Sequence, residues 1–324
     1  MKYRRFGRLG VKVSEVSLGT VTFGRWISEE QSRSVLDAAL DIGVNLVDTG
    51  DRYGKGMDTG NPNEFGESEE ILGRLLKGRR NRVILATKFD GPVGDGINDR
   101  GQSRYHMMNS VENSLRRLQA DHIDLYQVHH FDRETFFEET LRAFDDLIRQ
   151  GKVRYIGVSN YAAWQLAKAH GTSMLHNLHR FESAQQLYNI LQRDIEKEML
   201  PFCESEKVGV MVYSPLARGL LTGKYHRGSG VPEGTRASAG DRRIQKLLAS
   251  ERTFDILDRL IPLAENRGWS LQHLAVSWLL THSVVSTILL GATRPEQIVD
   301  NTKHMDERLT EEEMKEIDRI CELN

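Results

Sequence analysis

The sequence predicts an α/β fold, a closed (β/α)8 barrel of the TIM type, from three observations. Short apolar or β-branched runs alternate with longer amphipathic segments, and this strand-then-helix pairing occurs eight times along the 324 residues. Parallel strands need crossover helices to connect them, and eight such units can close into a barrel. The G-x-G-x-x-G pattern that usually marks an open nucleotide-binding sheet does not occur in the sequence, which disfavours that alternative without excluding it.

The eight units follow one another in chain order. The predicted strands are residues 16–19, 45–48, 82–88, 123–129, 153–159, 182–187, 209–213 and 286–290. The helices predicted after them are residues 28–42, 67–77, 103–118, 133–150, 161–170, 195–207, 271–282 and 295–301.

Both ends of the chain lie outside this repeat. Residues 2–15 are predicted to form an N-terminal β-hairpin, which could plug the floor of the barrel. Residues 310–321 are predicted to form one further helix, because they begin with a capping-box pattern at Thr310. No linker divides the chain, so we expect residues 1–324 to form a single domain.

Two polar, glycine-containing segments are predicted to be long loops. They cover residues 54–66 and 217–239, and the second precedes an extra helix near residues 242–267. Loops of this length in a compact domain are usually functional or disordered. We therefore expect them to border a site.

Composition narrows the partners that the protein is expected to have. Lys and Arg total 44 against 46 for Asp and Glu, so no general attraction to nucleic acid or to an anionic membrane is expected. The two cysteines lack zinc-type spacing, and no signal-peptide core or membrane-spanning run occurs. These features favour a cytoplasmic protein.

Four reactive side chains follow three successive predicted strands. Asp48, Lys88 and His129 end their strands, and Tyr53 lies in the loop after the first of these. In a barrel these strand ends share one face, where the chemistry takes place. Taken singly, each residue has a structural explanation, such as a loop cap for Asp48 or packing for Tyr53. Their joint placement favours a site.

The chemistry of this set follows from its functional groups. A free phenol has a pKa near ~10, and a nearby ammonium lowers it. Lys88 could lower the pKa of Tyr53 in this way, Asp48 could hold Lys88, and His129 could donate a hydrogen bond to a substrate oxygen. Such a site protonates or stabilises a developing alkoxide, which forms when hydride adds to a carbonyl.

The sequence resembles the aldo-keto reductases over nearly its whole length. Six motifs in order carry the resemblance: VDTGDRYG (47–54), ILATKF (84–89), DLYQVHH (124–130), GKVRYIGVSN (151–160), YSPLARGLLTGKY (213–225) and GATRPEQIVDN (291–301). The resemblance implies a catalytic tetrad of Asp48, Tyr53, Lys88 and His129, with Tyr53 as general acid in the reduction of a small-molecule carbonyl. It also implies NADPH as the cofactor, direct hydride transfer and no metal.

Cofactor contacts are carried over by the same resemblance. At the nicotinamide end they are Thr20, Ser159, Asn160, Gln185 and Tyr213. Along the pyrophosphate and in the loop that clasps the cofactor they are Ser214, Leu216, Gly219, Lys224 and Arg236. Around the adenosine they are Gly291, Thr293, Arg294, Gln297 and Asn301.

The adenosine-end motif also has a physical interpretation. GATRPEQ resembles a strand end that runs into a helix N-terminus, where free N–H groups attract phosphate. Arg294 adds a planar guanidinium suited to the 2′-phosphate of NADPH. A solvated arginine at an ordinary helix start is the alternative.

Two further residues are predicted to face the substrate. Trp26 falls where family members place substrate-facing residues, although surface packing would also explain it. His130 directly follows His129 and is the nearest competitor for its role.

Two other functions compete with carbonyl reduction. A metal-dependent barrel hydrolase would need clustered ligands; His129, His130 and Asp132 are close in sequence, but no HExxH motif occurs. An NADPH-binding regulatory subunit or sensor with little turnover is the second alternative. The substrate, the choice between monomer and homo-oligomer, and the strictness of NADPH preference stay open.

Overall fold

The computed structural model describes residues 1–235, 237–238 and 240–322. Eight parallel strands form a closed barrel, and a separate antiparallel pair precedes it. The hairpin strands are β1 (Tyr3–Arg5) and β2 (Lys12–Ser14). The barrel strands are β3 (Val16–Gly19), β4 (Leu46–Asp48), β5 (Ile84–Phe89), β6 (Ile123–Val128), β7 (Val153–Ser159), β8 (Ser183–Leu187), β9 (Gly209–Tyr213) and β10 (Val285–Leu290).

Helices follow the barrel strands as the predicted units require. They are α1 (Glu29–Asp41), α2 (Gly56–Thr59), α3 (Glu67–Leu76), α4 (Arg104–Leu118), α5 (Phe137–Arg149), α6 (Ala163–His176), α7 (Met199–Glu206), α8 (Arg242–Leu248), α9 (Glu251–Glu265), α10 (Leu271–Thr281), α11 (Pro295–Asn301) and α12 (Glu311–Cys321). None of these helices is both long and apolar enough to cross a bilayer. The predicted (β/α)8 barrel is confirmed, with its N-terminal hairpin and extra helices.

Two predicted helices are divided in the structure. Residues 195–207 contain a 3-10 turn and then α7, because Pro201 lacks the N–H that a continuous helix would need. Residues 242–267 form α8 and α9, which are separated where Ser250 takes an extended conformation. The prediction of one helix in each segment is therefore wrong.

The two predicted loops also contain short helical turns. Residues 54–66 include α2 and a 3-10 turn at Pro62–Glu64, and residues 217–239 begin with 3-10 turns at Ala217–Thr222. Arg218 and Gly219 have positive φ angles there, which explains why this segment does not continue as a regular helix.

The floor of the barrel is apolar and is closed by the hairpin. One buried cluster joins hairpin residues to inward-facing residues of five strands, namely Phe6, Val13, Leu46, Ala86, Leu125, Met211 and Leu289. The Phe6 ring packs directly over Gly209, where an added Cβ would come within 2.6 Å of it. The hairpin thus plugs the floor as expected.

A polar layer lies above this apolar floor because side chains alternate along each strand. Two residues beyond the floor residues Leu46, Ala86 and Leu125, the same strands carry Asp48, Lys88 and Gln127, which are buried. The polar layer is therefore at the carboxyl ends of the strands, where barrels hold their sites.

Candidate active site

A buried ion pair forms the base of the polar layer. The ammonium of Lys88, which is 0% exposed, donates to Asp48 Oδ2 and to the carbonyl oxygen of Thr49, both at 2.6 Å. Asp48 Oδ1 accepts from Gln185 Nε2 at 2.9 Å and from Gln127 Nε2 at 3.1 Å. A buried charge is tolerated only when it is paired and hydrogen-bonded, as both charges are here.

Tyr53 lies over this ion pair. The Lys88 Nζ is 4.7 Å from the centroid of the Tyr53 ring. Burial raises the pKa of the Tyr53 phenol, and the Lys88 charge opposes that rise without cancelling it. Lys88 thus lowers the pKa as expected, but the net pKa lies above its usual value, because desolvation outweighs the ammonium. The phenol is protonated at neutral pH.

Lys88 keeps its charge despite its burial. Desolvation opposes the ammonium, but the attraction of Asp48 and Tyr53 is larger and raises the pKa of Lys88. The site thus holds a protonated amine directly beneath a protonated phenol. A positive charge in this place stabilises phenolate whenever the phenol gives up its proton.

His129 completes the group of four residues. Its ring meets the Tyr53 ring edge-on, with 5.9 Å between the centroids. Burial lowers the pKa of His129 far below its usual value, and the charge of Lys88 adds to the shift. The imidazole is therefore neutral at pH 7 and carries one N–H donor.

His130 points away from this group. Its side chain is 58% exposed, its Nδ1 lies 3.6 Å from Asp90 Oδ1, and its ring stacks on His129 with 4.4 Å between centroids. The structure thus places His129, and not His130, beside Tyr53.

One long cleft, with a volume of about 2090 Å³, connects the residues that the sequence analysis singled out. Lys88 is the exception, because it lies buried behind Asp48. Arg236 lies outside the described residues. The predicted residues that line the cleft are Thr20, Trp26, Asp48, Tyr53, His129, His130, Ser159, Asn160, Gln185, Tyr213, Ser214, Leu216, Gly219, Lys224, Gly291, Thr293, Arg294, Gln297 and Asn301.

Hydrogen bonds fix the polar groups at one end of the cleft. The Tyr213 hydroxyl donates to Asn160 Oδ1 at 2.7 Å, and Asn160 Nδ2 donates to the carbonyl oxygen of His129 at 2.9 Å. Thr20 is buried and its hydroxyl donates to the Asp48 carbonyl oxygen at 3.1 Å. These side chains are pre-organised around the Tyr53 group.

The other end of the cleft lies at the start of α11. The Thr293 N–H donates to Gln297 Oε1 at 2.8 Å, which holds this loop against the helix. Arg294 precedes α11, is exposed and lines the cleft. A guanidinium at this position is accessible to an anionic ligand in the cleft.

The metal ligands considered from the sequence are only partly adjacent. The Asp132 carboxylate stabilises its own loop, because it accepts a hydrogen bond from the Glu134 N–H at 2.8 Å. Asp90 takes its place, because Asp90, His129 and His130 each offer a ligand atom within 4.8 Å of the others. The positive charges that act on His129, including Lys88, oppose a cation here.

The sequence analysis missed Asp51, which lies two residues before Tyr53. Asp51 is 1% exposed, and neither carboxylate oxygen has a hydrogen bond among the described residues. Burial raises the pKa of Asp51 well above its usual value, and the negative charge of Glu69 adds to the rise. No periodicity in the motif DTGDRYG distinguishes this side chain from a loop residue.

The Asp51 carboxyl gives a prediction for stability. The pKa of this carboxyl is higher in the folded protein than the value of about 3.9 expected in the unfolded chain. The protonated carboxyl therefore contributes to stability below pH ~3.9, and this contribution is lost as the pH rises through the folded-state pKa. Asp51→Asn removes this dependence. We expect the variant to gain about 1–3 kcal/mol over the parent at pH 8 and little at pH 4.

Urea unfolding at both pH values measures this difference. Asp306→Asn is the matched control, because Asp306 is exposed and forms a surface pair with Lys2. An equal effect of Asp51→Asn at pH 4 and pH 8 would show that the carboxyl has the same pKa in the folded and unfolded states, which would contradict the prediction.

Polar groups at the carboxyl rim of a closed (β/α)8 barrel are the arrangement of a barrel enzyme. The family model described as "Aldo/keto reductase family" matches residues 15–322. The chain therefore belongs to the aldo/keto reductase family, whose members are oxidoreductases that act on carbonyl compounds and generally use a nicotinamide cofactor.

Several curated proteins are similar over nearly their full length. An uncharacterized oxidoreductase of Bacillus subtilis is 36% identical over 327 residues, which cover 99% of this chain and 96% of the relative. Versiconal hemiacetal acetate reductase of Aspergillus parasiticus is 33% identical, with 97% and 95% covered. A putative voltage-gated potassium channel subunit beta of Schizosaccharomyces pombe is 35% identical, with 98% and 92% covered.

Proposed function

We propose that this protein reduces an aldehyde or ketone to an alcohol with NADPH and that Tyr53 donates the proton. The observation that carries the proposal is the buried Lys88–Asp48 pair directly beneath a protonated Tyr53, with neutral His129 beside it. Family membership supports the reaction class. The four side chains are Asp48, Tyr53, Lys88 and His129, as the motifs predict.

The cleft fits an extended dinucleotide. It runs from the Tyr53 group to Arg294, and a smaller ligand would not need a cavity of about 2090 Å³. Gly219 has a φ of +102°, and a Cβ there would come within 3.1 Å of the Lys224 ammonium, so its glycine keeps the wall clear. We assign the nicotinamide end to Asn160 and Tyr213 and the 2′-phosphate to Arg294.

When bound, NADPH supplies the hydride that the carbonyl carbon accepts. The Tyr53 hydroxyl and the neutral His129 N–H hydrogen-bond the carbonyl oxygen and orient it. Tyr53 gives its proton to that oxygen as negative charge develops there. Lys88 stabilises the phenolate that remains, and Asp48 keeps the ammonium in place.

A cofactor-consumption screen over a panel of aldehydes and ketones tests this function, with NADPH and NADH in parallel. We expect at least one carbonyl to be reduced to its alcohol, with NADPH preferred. Tight NADPH binding with no alcohol formed from any panel member would contradict the proposal.

The role of Arg294 gives a quantitative prediction. Arg294→Ala should raise the Kd for NADPH by roughly tenfold to hundredfold and the Kd for NADH by less than about threefold, because a charged hydrogen bond to the 2′-phosphate is lost only in the first case. Fluorescence titration measures both constants. Arg319→Ala, on the exposed face of α12, is the control. Equal losses for both cofactors would remove the proposed role.

A regulatory subunit is the second candidate. It is favoured by the similarity to proteins named as potassium channel subunits beta, such as the one from Schizosaccharomyces pombe. NADPH bound tightly, with turnover slower than cofactor exchange for every carbonyl tested, would support this candidate over the enzyme.

A further inference from the structure

Two arginines that line the cleft form no ion pair with the residues that the structure describes. Arg52 and Arg243 both line the cleft. Among the residues that the structure describes, neither guanidinium has a hydrogen bond or a carboxylate within salt-bridge distance. Two other arginines of the cleft are compensated, because Arg25 binds Asp58 with two hydrogen bonds of 2.5 and 2.9 Å and Arg218 binds Asp241 at 2.8 Å.

Arg52 is held in place by packing. Its aliphatic chain passes so close to Gly91 that a Cβ there would come within 2.2 Å of the Arg52 Cδ. The guanidinium carbon lies 4.8 Å from the centroid of the Phe65 ring. The side chain is therefore positioned without the use of its N–H donors, and its Nε is buried and has no acceptor. A fixed guanidinium with unused donors is ready for a planar or tetrahedral anion.

Arg243 approaches from a distant part of the chain. It lies in the first turn of α8, whereas Arg52 precedes Tyr53 in the loop after β4. The charges of both arginines act on His129, and that of Arg243 also acts on Tyr213. Both guanidinium groups therefore line the cleft that also holds the imidazole and the phenol.

The nearby acidic groups are already compensated or neutral. Asp48 pairs with Lys88, and Asp90 accepts the His130 N–H at 2.5 Å. Asp51 is buried, and its raised pKa favours the uncharged form. Among the described residues, the positive charge of Arg52 therefore has no ion-pair partner beside the loop that carries Tyr53.

We propose that the substrate carries an anionic group, a carboxylate or a phosphate, near its carbonyl and that Arg52 binds this group. This inference rests on the proposed carbonyl reduction. Arg52 follows β4, on the loop that carries Tyr53, whereas the residues assigned to the pyrophosphate and the 2′-phosphate follow β9 and β10. The anion that Arg52 binds is therefore assigned to the substrate and not to the cofactor.

Two matched substrate pairs test the inference on the NADPH-loaded protein. The first pair is 4-formylbenzoate and its neutral methyl ester, and the second is glyceraldehyde 3-phosphate and glyceraldehyde. We expect the anionic member of at least one pair to have a kcat/KM at least about tenfold higher. The pair that shows the larger ratio identifies the anion. Ratios of one or below in both pairs would overturn the inference.

Substitution of the arginines tests the assignment. Arg52→Gln should lower the anionic-to-neutral ratio of kcat/KM by at least about tenfold. Arg52→Lys should restore part of the ratio, because it keeps the charge and loses the planar fork. Arg25→Gln is the matched control, since Arg25 lines the same cleft but is compensated by Asp58. A ratio unchanged by Arg52→Gln, or changed equally by Arg25→Gln, would overturn the assignment.

A binding measurement separates this inference from the proposed function. Calorimetry gives the affinity of 4-(hydroxymethyl)benzoate and of its methyl ester for the NADP⁺-loaded protein. If the protein binds the anion in a way that depends on Arg52 but turns over no carbonyl, the proposed anion site is supported and the proposed reductase function is contradicted. A second outcome would contradict the anion site and leave the proposed reductase function standing. In that outcome neutral carbonyls are turned over, and Arg52→Gln changes neither the anionic-to-neutral ratio of kcat/KM nor the affinity for 4-(hydroxymethyl)benzoate.

Discussion

Tyr53→Phe is expected to lower kcat for carbonyl reduction by at least about hundredfold while the Kd for NADPH changes less than about twofold. The substitution removes only the hydroxyl and keeps the ring that meets His129 edge-on and lies over Lys88. Lys88 cannot take its place, because its ammonium is buried and committed to Asp48 and Thr49. Single-turnover kinetics with saturating NADPH measures the loss.

Tyr105→Phe provides the matched control for this experiment. Tyr105 is 65% exposed on α4, so loss of its hydroxyl should leave kcat and NADPH affinity at their parental values. A Tyr53→Phe protein that reduces carbonyls at the parental rate would show that the proton comes from another group.

Lys88→Met is expected to lower the free energy of unfolding by about 3–5 kcal/mol, because it leaves the Asp48 carboxylate buried without its counter-ion. The double variant with Asp48→Asn should recover part of that loss, since a neutral amide tolerates burial better than a lone carboxylate. Both variants should also lose turnover, because nothing then stabilises the Tyr53 phenolate. Urea unfolding of the two variants and the parent measures the coupling.

Lys2→Met is the control for the loss of a lysine. Lys2 forms a surface pair with Asp306 at 3.5 Å, and its removal should cost less than about 1 kcal/mol. If Lys88→Met unfolds at the parental urea concentration, the Lys88–Asp48 pair does not have the structural role assigned to it.

The sequence was sufficient to predict the barrel and to place the four candidate side chains at the carboxyl ends of its strands. A lysine at the end of the apolar run VILATK has to place its charge near the rim of the core. In the structure, the ammonium of Lys88 forms an ion pair with Asp48 at that rim. Each predicted barrel strand is found, with boundaries that differ by at most two residues from the observed ones. Such strong signals arise because apolar runs and turns repeat eight times.

Other features depended on contacts between distant residues. Both faces of a barrel strand are buried, so the pattern IDLYQV does not reveal that Gln127 points inward to Asp48. Whether the pKa of Tyr53 is raised or lowered depends on how far the phenol is buried, and the motif does not reveal its burial. Arg243 reaches the mouth of the cleft from α8, and no local motif connects it to Tyr53.

The origin of the hydrogen added to the substrate tests the central claim most directly. The protein is supplied with NADPH that carries deuterium at both C4 positions and with a carbonyl that it turns over, and the alcohol is examined by mass spectrometry. We expect one deuterium atom on the carbinol carbon of each product molecule and none from deuterated water at that carbon. Product labelled at that carbon by solvent, or alcohol that contains no deuterium from the cofactor, would contradict direct hydride transfer in this cleft.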